Sequence, residues 1–181
     1  MAIYWGISAE PRGLVLTVEA MIDGTDETSW SGRVATLSFD GVSMTGHSYE
    51  DVRHALAAAV LTAAEDGAMP VPADQLGAVR IMSTSAAGYE RGGEYGGPVI
   101  TVPAVADRDA VTWCAATVTA AGPLGGQAAL GDTLAKARDV LAETLMIALE
   151  IGVDGLPADW SGIRLLTTTR KTYPVTALSA D

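Results

Sequence analysis

The chain has 181 residues, 49% of them hydrophobic and 18% charged. That is enough apolar material for a packed core, and it excludes wholesale disorder; at this length about 70% of the unfolded surface is buried, so no disulfide or metal staple is needed. Asp plus Glu number 22 against 11 Lys plus Arg, and the formal charge of −11 repels phosphate backbones and anionic membranes while suiting a basic protein partner.

The opening stretch from Met1 to Arg12, which includes Trp5, has no basic leader and no long apolar run, so no secretory signal is expected and the expected location is cytoplasmic. Leu14 to Ala20 is rich in aliphatic and β-branched residues and predicts a first strand. A polar hairpin loop, Asp23 to Thr28, leads to a second strand over Trp30 to Phe39, and Asp40-Gly41 turns the chain into a short third strand at Ser43 to Thr45. Tyr49, Val52, Leu56 and Val60 recur at helical spacing behind Ser48, which with Asp51 resembles a capping box. The ten-residue apolar run Ala55 to Ala64 belongs to this helix and is about half of what a membrane span needs. Gly67 is the expected breaker, and a proline-containing loop precedes a last strand near Val79 to Ser85. Gly88 to Gly97 holds five glycines and is expected to be a connector without regular structure.

Beyond the connector the pattern returns. Strands are expected at Val99 to Val105, Val111 to Ala120 and Gln127 to Leu130, with a glycine-rich turn at Gly122 to Gly126. A helix carries Leu134, Ala137, Leu141, Leu145 and Leu149 behind the cap Thr133, and Gly152 ends it. Gly13-Leu-Val-Leu-Thr-Val-Glu-Ala20 aligns with Gly97-Pro-Val-Ile-Thr-Val-Pro-Ala104, and residues 79–85 align with 163–169, both 84 residues apart. Trp30 and Trp113, Arg53 and Arg138, and the two Pro-Ala-Asp segments at 72–74 and 157–159 fall in the same order. The expectation is an α+β chain made of a tandem pseudo-twofold repeat of a β-β-(β)-α-β unit. Its sheet is antiparallel-rich with one long helix per repeat; the repeats span residues 13–87 and 98–170, and 88–97 connects them. Each copy alone is thin for a core, so the two are expected to act as a fused homodimer.

At Gly131-Asp-Thr-Leu-Ala-Lys-Ala-Arg-Asp-Val-Leu141 the second copy resembles the HicB antitoxin family, whose pattern is a strand hairpin, a Gly-Asp-Thr/Ser turn, an amphipathic helix and a proline-bearing loop. Val99 to Val102, Trp113 to Thr119 and Leu156-Pro157 supply the rest of that pattern; the first copy matches more faintly through Leu37 to Gly41, Thr45 to Ser48 and the helix from Tyr49. The family's Pro-Asp-Leu-Pro-Gly turn is replaced by Ala121-Gly-Pro-Leu-Gly-Gly126, and no DNA-binding appendage is read after Thr169. The resemblance implies a non-enzymatic antitoxin-like protein, without direct nucleic-acid binding, that masks a small basic ribonuclease toxin.

No catalytic, cofactor or metal residue is expected. His47 and His54 lack the i, i+4 spacing of a helical zinc site, and Asp40, Asp74, Asp132 and Asp159 fall at turns or caps, where Asp bonds local backbone. The lone Cys114 is read as a small core residue beside Trp113. Protein contacts favour aromatic and arginine anchors, so Tyr89, Tyr95 and Trp160, read as loop residues, and Arg53 and Arg138, read on polar helix faces, are the candidate partner-binding residues. Trp30 and Trp113 are read as core. The competing readings are a structural or assembly subunit, such as a virion or homo-oligomer component joined through edge strands, an immunity protein against a secreted toxin, and a small-molecule-binding or enzymatic domain in a groove between the repeats.

Overall fold

The computed structural model describes residues 7–10, 13–26, 28–69, 72–118 and 121–179. Trp5 lies outside them. The chain segregates into two compact units: Met1–Thr84 with Arg170–Asp181, and Ser85–Thr169. The glycine-rich segment at 88–97 therefore belongs to the second unit, where a connector between units was expected. The last residues of the chain return to the first.

In unit 1, β1 (Ile7–Glu10) pairs antiparallel with the start of β2 (Gly13–Asp26), whose far half pairs antiparallel with β3 (Ser29–Val34). β3 pairs antiparallel with β4 (Ser43–Gly46), and β5 (Leu76–Glu90) runs parallel to β2 over Leu14 to Met21. Of β5, only residues 76–84 belong to this unit. The expected second strand stops at Val34, short of Phe39. There the Thr36 hydroxyl accepts the Glu19 amide at 3.0 Å, and Leu37–Phe39 wind into a 3-10 turn. Helix α1 (Tyr49–Glu65) begins where the Ser48 hydroxyl accepts the Asp51 amide at 3.1 Å, satisfying one of the donors a helix start leaves open. Its Val52, Leu56 and Val60 are fully buried, as are Val18 and Ile22 of β2 and Val79 and Ile81 of β5. Each such side chain contributes about 1.5–3 kcal/mol by leaving water. α3 (Val175–Leu178), absent from the sequence reading, packs near α1.

In unit 2, β6 (Val99–Arg108) pairs antiparallel with β7 (Trp113–Thr117), and β7 pairs antiparallel with β8 (Ala128–Gly131). After α2 (Leu134–Ile151), β9 (Gly162–Pro174) runs parallel to β6 over Gly162 to Thr168. The Thr133 hydroxyl caps α2 by accepting the Lys136 amide at 3.1 Å, and Gly152, at a φ of 102°, ends it. Leu141, Ala142 and Leu145 of α2 are fully buried, as are Trp113, Ile163 and Leu165 of the strands. A side chain on Gly131 would overlap the backbone of Lys136 and Ala137, so the glycine lets β8 run directly into the helix start.

The architecture is α+β with a mixed sheet. Strand alternation corrects one expectation: Trp113 faces the helix, so Cys114, one residue on, projects to the other side and is exposed. Among the described residues no helix is long and apolar enough to cross a membrane.

Candidate functional site

Arg53 and Arg138 do not lie on polar helix faces. They are only 4% and 6% exposed, because each follows a core-facing position on its helix and lays its aliphatic stem into the core edge. Within unit 1, Arg53 Nε donates to the Tyr173 hydroxyl at 3.1 Å, and the guanidinium stands 5.2 Å from the Tyr49 ring centroid. Burial pushes the Tyr173 phenol up despite the nearby Arg53 charge. Within unit 2, Arg138 Nη1 donates to the buried Ser85 hydroxyl. These arginines are internal anchors. Sequence reasoning missed this because the Arg53 partner is 120 residues away.

Trp160 is likewise buried rather than free for a partner. The Arg91 guanidinium is stacked between it and Tyr95, 4.4 Å from the Trp160 ring and 3.8 Å from the half-exposed Tyr95 ring. Arg91 Nη1 also donates to the carbonyls of Ala158 and Trp160 at 3.1 and 3.4 Å. A side chain on Gly97 would collide with the Asp159 carbonyl, so the glycine-rich segment is tied to the loop after α2 at two points. Tyr95 and Trp160 are thus brought together by Arg91, a residue the sequence did not single out.

Tyr89 lies on a strand, since β5 continues three residues into the glycine-rich stretch. Its hydroxyl donates to Asp139 Oδ1 at 2.8 Å, and burial, then the Asp139 hydrogen bond and charge, push the phenol well above its usual value. With Asp139, Glu143, Met146, Ile147 and Glu150 of α2 it lines a groove of about 560 Å³. The helix positions follow the 4, 3, 1, 3 steps of one helical face. The groove floor is apolar, with Ile147 52% exposed, and three carboxylates flank it. Asp139 and Glu143, four residues apart, repel one another, and a cation placed between them relieves that repulsion. The spacing of the carboxylates was visible in the sequence; their alignment with Tyr89 was not.

The remaining candidates do not assemble. Asp132 pairs with Lys136 at 2.9 Å, which holds its carboxyl below the usual range, and the His54 ring packs edge-on to Tyr173 at 5.4 Å. Among the described residues, no group of three or more His, Cys, Asp or Glu side chains converges as a metal-binding set. In comparisons with known proteins, no family model matches the chain, and neither a curated protein nor a solved structure matches it.

Proposed function

We propose that the chain is a non-enzymatic acidic binding protein, antitoxin-like, that masks a small basic protein such as a ribonuclease through the α2 groove of unit 2. The observation that carries this reading is the acidic rim around the exposed Ile147 and the half-buried Met146. At the positions 85 residues earlier, α1 has His54, Ala58, Leu61, Thr62 and Glu65 in place of Asp139, Glu143, Met146, Ile147 and Glu150. Two of the three carboxylates are therefore dispensable to a helix of this kind, and their presence on α2 serves something other than folding. An overall charge of −11 steers a basic partner toward the chain, and the exposed Ile147 with the half-buried Met146 supplies the apolar contact that retains it.

The duplication belongs to the same proposal. Setting aside β1, both units run β-β-β-α-β, with β5 parallel to β2 and β9 parallel to β6. In both, a buried Trp sits opposite a Gly across the second and third strands of that order, Trp30 with Gly46 and Trp113 with Gly131. The hydroxyl caps and the buried arginines recur 85 residues apart, and Tyr89 with Tyr173 84 apart. This element order, with Gly131-Asp-Thr133 at the start of α2, supports the HicB-like reading.

The test is affinity purification from the native host in parallel with the Glu143→Lys, Glu150→Lys variant. A stoichiometric basic companion below about 10 kDa should accompany the native chain, fall at least tenfold with the variant and dissociate as salt rises, since Debye screening weakens such contacts. A native chain that purifies without a basic companion, or a companion indifferent to the reversed charges, sinks the reading.

A further inference from the structure

Helix α2 carries more apolar surface than its core contact requires. Val140, Ile147 and Ile151 are 46%, 52% and 82% exposed, on the side of the helix away from the buried Leu141 and Leu145. They are spaced seven and four residues apart, which at 3.6 residues per turn sets them within about 40° of one another. The half-buried Thr144 continues the line between Val140 and Ile147. The result is an apolar stripe of about three turns, roughly 16 Å long. The acidic groove includes Ile147 but neither Val140 nor Ile151.

The core does not need this stripe. At the positions 85 residues earlier α1 has Ala55, Thr62 and Asp66, yet it buries Val52, Leu56 and Val60 as fully as α2 buries Leu141 and Leu145. A helix face meant for water is polar, and a contiguous apolar one marks a contact surface. Charge says which kind of partner fits it. Asp139, Glu143 and Glu150 run along one side of the stripe, about 80° around the helix from its centre line. The bases of α2 are Lys136, bonded to Asp132 at 2.9 Å, and the buried Arg138. The α2 stripe of a second copy therefore has no base to set against these carboxylates, and an anionic lipid surface repels them.

We infer that the stripe docks an amphipathic helix of the partner. That helix is apolar along the line that meets Val140, Ile147 and Ile151, and it carries Lys or Arg on the side that meets Asp139, Glu143 and Glu150. The inference rests on the reading of α2 as the partner-binding helix and adds the shape of what binds there. Steps of seven and four residues are those at which one helix seats its side chains between those of another. An extended segment alternates its side chains between two faces and offers no matching one-sided row at that spacing. Contact over three turns asks for a partner helix of about 12 residues.

Fluorescence anisotropy with a labelled model peptide tests the docking on the full chain. The probe has about 14 residues, with leucines along one helical face and lysines elsewhere. The native chain should bind it with a Kd on the order of 10 μM. The same peptide with two central prolines, which cannot stay helical, should bind at least tenfold more weakly. Val140→Gln with Ile151→Gln should weaken binding at least fivefold while the urea midpoint stays unchanged. Glu143→Lys with Glu150→Lys should weaken it at least tenfold. Glu65→Lys with Asp66→Lys, the same change in net charge placed on α1, should leave it within twofold. No binding of the helical peptide at 200 μM chain, equal binding of the proline peptide, indifference to the glutamine pair, or equal losses from the two charge reversals overturns the inference. So does a native chain that sediments as a dimer at 200 μM and reverts to monomer with the glutamine pair. In the affinity purification, a basic companion that is lost with Glu143→Lys, Glu150→Lys but survives the glutamine pair overturns the docked helix and leaves the proposed function standing. Peptide binding as expected, with no companion purified, supports the helix site and sinks that function.

Discussion

Two tyrosines act in equivalent ways within their own units. Tyr173 accepts from the buried Arg53, and Tyr89 donates to Asp139 next to the buried Arg138. Both phenols are pushed above the usual tyrosine value, first by burial. The consequence for stability has a definite sign. Above about pH 10 the unfolded chain loses these protons while the folded chain keeps them, so the unfolded state binds fewer protons and stability falls as pH rises. Below pH 10 both states are protonated and the two groups contribute no pH dependence. Urea unfolding at pH 9 and pH 11 should therefore show an alkaline loss that is smaller in the Tyr89→Phe, Tyr173→Phe variant. An equal loss in both would assign it to other groups. The residue chemistry was visible in the sequence as two tyrosines 84 residues apart, but their arginine and carboxylate neighbours come from distant segments that only folding brings near.

Among the elements, the helices were the most legible because their signals are local. A hydroxyl at Ser48 or Thr133, a 3.6-residue apolar period and a following glycine lie within about twenty residues, and the starts Tyr49 and Leu134 follow those hydroxyls directly. Ser48→Ala and Thr133→Ala should each cost about 1 kcal/mol in urea unfolding, and Gly131→Ala about 1–3 kcal/mol, because its new methyl group meets backbone that cannot turn aside. A Gly131→Ala protein as stable as the native one would show that the β8–α2 junction relaxes freely. Strand ends were less legible. Phe39 was read into a strand because an apolar residue looks alike in a strand and in a buried 3-10 turn, and β5 ran past Gly88 because hydrogen bonding to a neighbouring strand outweighs the weak local preference of glycine.

For the whole molecule, the decisive feature is that unit 1 is assembled from two separate stretches of chain, whereas unit 2 is one continuous stretch. Unit 1 is completed by residues 170–181, which bring Tyr173 to Arg53, Thr172 to Arg80 at 3.0 Å, and the buried Leu178 of α3. A chain ending at Thr169 takes the Tyr173 hydroxyl away from the buried Arg53 guanidinium and opens the α3 site. It should lose about 3 kcal/mol or more from unit 1, with hydrogen exchange accelerating in α1 while α2 keeps its protection. Equal loss of protection in both helices would mean that the units unfold as one. The acidic groove also belongs to this scale, since it joins Tyr89 of β5 to side chains of α2.

Long-helix and cap positions, the α+β class and the sign of the charge were set by the sequence itself, because each depends on residues within a few turns or on simple counting. The tertiary structure alone decided which arginines are buried, that Trp160 is enclosed beneath Arg91, that Cys114 faces outward, and that the chain's last residues complete its first unit. Those outcomes depend on which segments meet across some 50 to 120 residues of sequence, and contact at that range is chosen by the total burial of the fold rather than by any local preference.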